Sequence, residues 1–135
     1  MTPDQIEHIR STSDIILGSG RVADRFYEAL FAIAPETRGL FRDDLTALKL
    51  KFMNMLASLV GSVDQPMVFA SILTHLGRRH RRYGVRAAHY KPVGAALLIS
   101  VQVSLGARMT PQVREAWTCL YAEIEGAMLQ GSAMG

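Results

Sequence analysis

The sequence predicts an all-α fold, and three observations carry that prediction. Apolar residues return at intervals of three and four along most of the 135-residue chain, the spacing that gathers them on one helix face. No stretch shows sustained period-two alternation with turn residues between strands. Two segments, Thr2-Pro3 and Thr110-Pro111, share one kind of start: a hydroxyl to cap free N–H groups, then a proline where no N–H is needed. A hydrophobic fraction of 49% suits a chain that buries a core, and the length suits one domain.

About six helices with short connections follow in order. The first starts at Thr2, buries Ile6, Ile9 and Ile16, and is ended by Gly18 and Gly20. The second runs from about Arg21 to Ala34, with Val22, Phe26 and Leu30 in one row and Tyr27 and Phe31 beside it. Pro35 breaks the pattern, and Glu36 to Phe41 reads as a short helical turn. Asp43-Asp44 opens a third helix, Leu45 to Gly61, in which Leu48, Phe52, Met55, Leu56 and Leu59 recur at helical spacing. Gly61 and Pro66 bracket a loop, and Asp64 is the expected cap of the fourth helix, Met67 to Tyr83. After Gly84 a long helix, Ala87 to Leu105, carries Tyr90, Val93, Leu97 and Val101. The last opens at Pro111 and lines up Val113, Trp117, Leu120, Tyr121, Ile124 and Met128. There is no internal repeat and no second domain: residues 1–130 form a single domain, and 131–135, small and polar, are expected to fray as a flexible tail.

The formal charge of +3 is mildly basic, and much of the excess lies in Arg78, Arg79, Arg81 and Arg82. Such a patch faces phosphates, the carboxylates of a cofactor, or water. A nucleic-acid role is disfavoured, because the apolar stripe through Phe69 and Leu73 makes this a packed helix and not a recognition helix. The single cysteine, Cys119, excludes an internal disulfide and fits a reducing compartment; it is a packed hydrophobe or a dimer contact. The polar N-terminus lacks a signal core. The longest apolar run, Val93 to Leu105, is too short and too interrupted for a membrane span. A soluble, cytoplasmic monomer or homodimer without membrane or nucleic-acid partner is the expectation.

The chemistry concentrates around His80. Phe69, Leu73, Leu76 and His80 are spaced four, three and four apart and share a helix face, so a polar ring continues a core stripe and needs a partner there. His75, five residues earlier, lies about 140° around the helix and cannot chelate with it. Two readings stand: His80 alone ligates a metal held mainly by something else, as a porphyrin holds iron, or it is a helix-end histidine favoured by the dipole. Tyr27 is a core residue with its phenol at the surface, or a site residue. Phe41 is a loop anchor, or a wedge against a flat ligand. Lys51 and Arg79 are solvated charges, or partners of a cofactor carboxylate. Carboxylate pairs, a Ser-His-Asp order, a phosphate loop and a dinucleotide fingerprint are absent as readable motifs.

Three segments together resemble the bacterial single-domain globins of the flavohaemoglobin and Vitreoscilla-type haemoglobin group. They are Phe26-Tyr27-Glu28-Ala29-Leu30-Phe31 followed by Pro35 and Leu40-Phe41; Leu76-Gly77-Arg78-Arg79-His80-Arg81-Arg82-Tyr83-Gly84-Val85 with His89-Tyr90-Lys91-Pro92-Val93-Gly94; and Ala116-Trp117 with Tyr121. The resemblance implies a globin fold around a haem pocket. In it His80 is the proximal ligand of a b-type haem, Phe41 packs on the porphyrin, Tyr27 is the distal donor to bound gas, and Tyr90 lies on the proximal side. Leu76, Val85 and Val93 complete the cofactor-lining set, with Lys51 and Arg79 the candidates for its propionates.

Two departures qualify it. The family's polar distal residue falls on Leu48, with Phe52 one turn later, so the distal pocket is expected to be apolar and to depend on Tyr27. The glutamate of the family's proximal Tyr–Glu pair falls near Gly131-Ser132, and Glu123 and Glu125 come too early. With no room for a flavin domain, no bound flavin is expected, and electrons must come from a separate reductase. The implied function is binding of O2, NO and CO at a five-coordinate iron, with nitric oxide dioxygenation when reduced. A haem-based gas sensor and a helical DNA-binding module are the alternatives.

Overall fold

A computed structural model describes residues 1–41 and 44–134. Among these residues there is no strand, and six α-helices make up the molecule: α1 (Pro3–Gly18), α2 (Val22–Ile33), α3 (Leu45–Gly61), α4 (Pro66–Arg82), α5 (Tyr90–Leu105) and α6 (Pro111–Met134). Short 3₁₀ segments fill three connections, at Pro35–Leu40, Ala87–His89 and Gly106–Arg108. No described helix is long and apolar enough to cross a membrane.

The helix starts follow local chemistry. The Thr2 hydroxyl accepts from the Gln5 N–H at 3.1 Å and the Gln5 side chain accepts from the Thr2 N–H at 2.9 Å, a reciprocal cap. Asp44 caps α3 through the Thr46 N–H at 3.0 Å, while the other half of the expected Asp43-Asp44 start, Asp43, lies outside the described residues. Thr110 caps α6 through the Val113 N–H at 3.2 Å.

One expectation needs correction. Gln65, not Asp64, occupies the cap position of α4. Proline as the first helical residue leaves one fewer N–H to satisfy, and Asp64 instead pairs with Arg10 at 2.6 Å. At the other end of the chain α6 continues to Met134, and Gly131 is buried where a Cβ would overlap the Thr74 backbone. The glycine lets two helix backbones touch, and that contact holds the end of α6 in place. The last residue of the expected tail, Gly135, is outside the described residues.

All six helices contribute to the core, α3 through Leu56, Leu59 and Val60. Ile9, Ile16, Leu30, Leu73, Val101 and Leu120 are fully buried around Trp117, whose indole N–H donates to the Thr12 hydroxyl at 3.0 Å. Burying an indole without that partner would cost a few kcal/mol. The closest helix contact is α4 on α6, because a Cβ at Gly77 would overlap the Met128 carbonyl. That contact fixes the height of α4, the helix that carries His80.

Candidate functional site

His80 sits in the last turn of α4, half-buried. Phe69 and Leu73 of its stripe are buried and Leu76 is half-buried, so the face turns gradually outward toward the histidine. Its Nδ1 lies 2.9 Å from the Leu76 carbonyl oxygen. A carbonyl can only accept, so Nδ1 carries the hydrogen. In the neutral ring the proton is then absent from Nε2, whose lone pair is left without a protein partner among the described residues. Burial pushes the His80 pKa below its ordinary value; the bond to Leu76 opposes this, and the neighbouring Arg79 charge adds to it.

The chain stops just beyond this residue for a backbone reason. The Val85 N–H donates to the His80 carbonyl at 3.0 Å and the Gly84 N–H to the Arg81 carbonyl at 3.0 Å, with Gly84 at φ 93°. These two bonds form a Schellman cap, whose left-handed residue glycine adopts without strain. The turn also brings the end of α4 against the segment before Phe41, since a Cβ at Gly84 would lie 3.6 Å from Leu40 Cδ2.

Behind α4, the buried Tyr121 on α6 donates its hydroxyl to the Tyr90 carbonyl at the start of α5, a short bond. Its ring lies where a Cβ on Gly94 would be. Burial raises the phenol pKa of both tyrosines, and the Glu125 charge raises both further. The sequence spacing placed Glu125 too early for any proximal role, yet the helix brings its charge within reach of Tyr90 and Tyr121. Among the described residues the charge that acts on His80 is that of Arg79, beside burial and the Leu76 bond. The carbonyl of Leu76 therefore orients the ring alone.

The other half of the site is aromatic. Tyr27, buried on α2, has the rings of Phe26, Phe41, Phe31 and Phe52 around it at centroid distances of 5.1, 5.2, 5.9 and 6.1 Å. Phe52 on α3 stacks on Phe26 at 4.5 Å, and Leu48, one turn earlier, is half-buried. Phe41 is held from its own segment: the Arg38 guanidinium donates to the Phe41 carbonyl at 3.4 Å and lies 5.0 Å from the centroid of Phe31. Burial pushes the Tyr27 phenol up to about 12, so it stays protonated, and among the described residues its O–H makes no hydrogen bond. Phe26 and Phe31 are part of this cluster although spacing alone gave them only a core role; their positions beside Tyr27 on one helix were the available signal.

The candidates thus fall into groups. Tyr27, Phe41 and Phe52 are brought together, with Leu48 a turn from Phe52. His80 and Leu76 are bonded, the Val85 N–H meets the His80 carbonyl, and Tyr90 and Val93 open α5 nearby in the chain. Lys51 and Arg79 are exposed; Lys49, two residues from Lys51, is the one that pairs, with Asp24 at 2.8 Å. Surface hollows lined by Met1, Ile6 and Phe69, and by Ala23, Leu50 and Met53, touch neither His80 nor Tyr27.

Residues 24–128 match the family model for globins. The chain belongs to the globin family. A globin so matched is tied to haem and to gas ligands, and the unpartnered Nε2 of His80 and hydroxyl of Tyr27 fit that group. This globin is 29% identical over 128 residues to a flavohemoprotein of Bacillus subtilis, covering 92% of this chain and 32% of that protein. It is 25% identical over 133 residues to a flavohemoprotein of Bordetella pertussis, covering 96% and 33%. The chain therefore spans about a third of the length of these relatives. A neuroglobin of Chaenocephalus aceratus is 36% identical over 83 residues, 62% of this chain and 52% of that one. Among solved structures, a hexacoordinated heme protein from an anhydrobiotic tardigrade superposes with a TM-score of 0.90 at 14% identity, covering 98% of this chain and 96% of that one. At that identity the likeness concerns the globin fold alone.

Proposed function

We propose that this globin is a single-domain haem protein that binds O2, NO and CO, akin to the globin part of the flavohaemoglobins. The observation that carries the reading is the His80–Leu76 bond, which assigns the proton to Nδ1 and presents Nε2 as an axial donor. When bound, b-type haem supplies an iron with one position for a diatomic ligand.

The chain's residues do the rest. His80 holds the iron from the proximal side, with Leu76, Val85, Tyr90 and Val93 along that wall. Phe41 packs on the porphyrin, and Arg79 and Lys51 are the cations for its propionates. Tyr27 donates its hydroxyl to the gas, while Leu48 and Phe52 keep the distal side apolar and exclude water. Given one electron from a separate reductase, NO and O2 combine to nitrate, NO + O2 + e⁻ → NO3⁻, and nitric oxide detoxification is then an activity of this site. Nothing in the 135 residues is assigned to flavin. The proposed setting is a reducing cytoplasm.

Absorption spectra of the purified protein, ferric and then reduced with and without CO, test this directly. A five-coordinate ferrous spectrum that converts to a CO form is expected. Failure to take up haem, or a six-coordinate ferrous form closed to CO, would overturn it.

A further inference from the structure

The charges of this chain are sorted by position. Residues 65–114 contain eight of the 15 lysines and arginines and none of the 12 aspartates and glutamates, so that stretch carries +8 and the remainder −5. Five of those cations, Arg78, Arg79, Arg81, Arg82 and Arg86, fall between the last turn of α4 and the start of α5.

Local structure leaves most of them unspent. Arg81 donates to the Ser132 carbonyl at 2.7 Å and so ties α4 to the end of α6. Arg79, Arg82 and Arg86 are exposed, and none takes part in an ion pair among the described residues, whose three pairs involve Met1, Arg10 and Lys49. In their midst Tyr83 leaves 72% of its surface in water. An aromatic ring ringed by arginines is the composition of a protein-binding hot spot, where tyrosine and arginine are enriched. Glu125 is the carboxylate whose charge reaches this end of the molecule, and it acts on the buried Tyr90 and Tyr121.

Position adds the second argument. Tyr83 follows His80 by three residues on the same capped helix end. A donor seated there approaches the haem from the side of its axial ligand. We propose that Arg82, Tyr83 and Arg86 form the docking surface for an acidic protein that donates single electrons. The inference rests on the haem reading above. One electron leaves the reduced donor, which is oxidised by one equivalent, and enters the ferric iron, which becomes ferrous; no atom or group is transferred. Opposite net fields raise encounter rates by roughly ten- to a thousandfold at low salt, and the gain fades as the screening length shrinks.

The test uses reduced flavodoxin, an acidic FMN protein, as the donor and follows reduction of the ferric holoprotein by stopped flow. The second-order rate constant is expected to fall at least tenfold between roughly 10 and 300 mM ionic strength. Arg82→Glu/Arg86→Glu should lower it at least tenfold at low salt. Arg21→Glu/Arg108→Glu makes the same charge change at the other end of α5, where Arg25 reaches Ser104, and should lower it less than threefold. Arg82→Gln/Arg86→Gln, with a smaller but same-direction effect, guards against misfolding of the reversed pair. Calorimetric binding of oxidised flavodoxin needs no electron transfer and should show the same ranking; a chain that fails to take up haem yet binds in that order breaks the haem reading and not the surface. A rate independent of ionic strength, or equal losses in the two reversed pairs, overturns the proposal. So does loss of affinity for duplex DNA or phosphatidylglycerol vesicles in Arg82→Glu/Arg86→Glu with reduction unchanged, which would give the patch to a polyanion.

Discussion

The two sides of this pocket satisfy their polar groups in opposite ways. On the proximal side the His80 carbonyl receives the Val85 N–H, its Nδ1 bonds Leu76, and Tyr121 bonds Tyr90. Among the described residues His80 Nε2 has no protein partner, and Arg78 Nε on the same helix is buried without one. On the distal side a buried phenol sits among four phenylalanines and bonds nothing among the described residues. A bonded group keeps a fixed position; a hydroxyl that no neighbouring group engages is free to donate to a ligand. The difference suits the proposed division of labour, with placement on one side and ligand recognition on the other.

The largest effect should come from removing the leftover lone pair. His80→Ala should leave protein with little stably bound haem, measured as the ratio of Soret to protein absorbance; retention of the parent spectrum would remove His80 from the proximal wall. Next comes the support behind it. Gly77→Ala puts a methyl group into the Met128 carbonyl, and backbone cannot move aside as a side chain does. Helix propensity favours alanine by about 1 kcal/mol, so a net loss of about 2 kcal/mol in urea unfolding would mean overpacking wins. A gain in stability would show that α4 and α6 separate easily and that the proximal wall is not rigid.

Tyr27 and Tyr121 allow the sharpest comparison, since both are buried phenols. Tyr27→Phe should speed oxygen dissociation by about ten- to a hundredfold, the loss of one strong donor, while leaving the haem-free protein as stable or slightly more so. Tyr121→Phe should do the reverse: little change in oxygen dissociation, and a loss of about 1–2 kcal/mol because the Tyr90 carbonyl loses its partner. Equal stability costs for the two would erase the contrast between the walls.

Local chemistry made much of this legible. Thr2-Pro3, Pro35 and Thr110-Pro111 marked boundaries that the backbone keeps, and the stripe through Phe69, Leu73 and Leu76 grades outward to a half-buried His80. What escaped were contacts between distant segments. Nothing around residue 131 announces that Gly131 meets Thr74, a contact that exists only once α4 and α6 are packed. Asp64 has the right chemistry for a cap, and only the packing of α1 shows that Arg10 claims it. Glu125 looked too early because its reach to Tyr90 depends on how α6 lies along α5. The proton on His80 Nδ1 was likewise out of reach until Leu76 was placed beneath it.

The smallest effect is the dependence of stability on pH, and it separates the two walls once more. The His80 pKa is lowered in the folded protein, chiefly by burial, so between its folded and unfolded values the unfolded chain binds the extra proton. Its contribution is therefore complete above the unfolded value near 6.5 and is lost as pH falls through the folded one. Tyr27, pushed up to about 12, acts at the alkaline end: its contribution is complete below the unfolded value near 10 and is lost as pH rises toward the folded one. Urea unfolding of the haem-free protein from pH 7.5 down to 5 should lose stability, and the His80→Gln protein should lose less over that range. An identical acid slope in both would mean that His80 is not held neutral by its surroundings, and the assignment of a free Nε2 lone pair would fall with it.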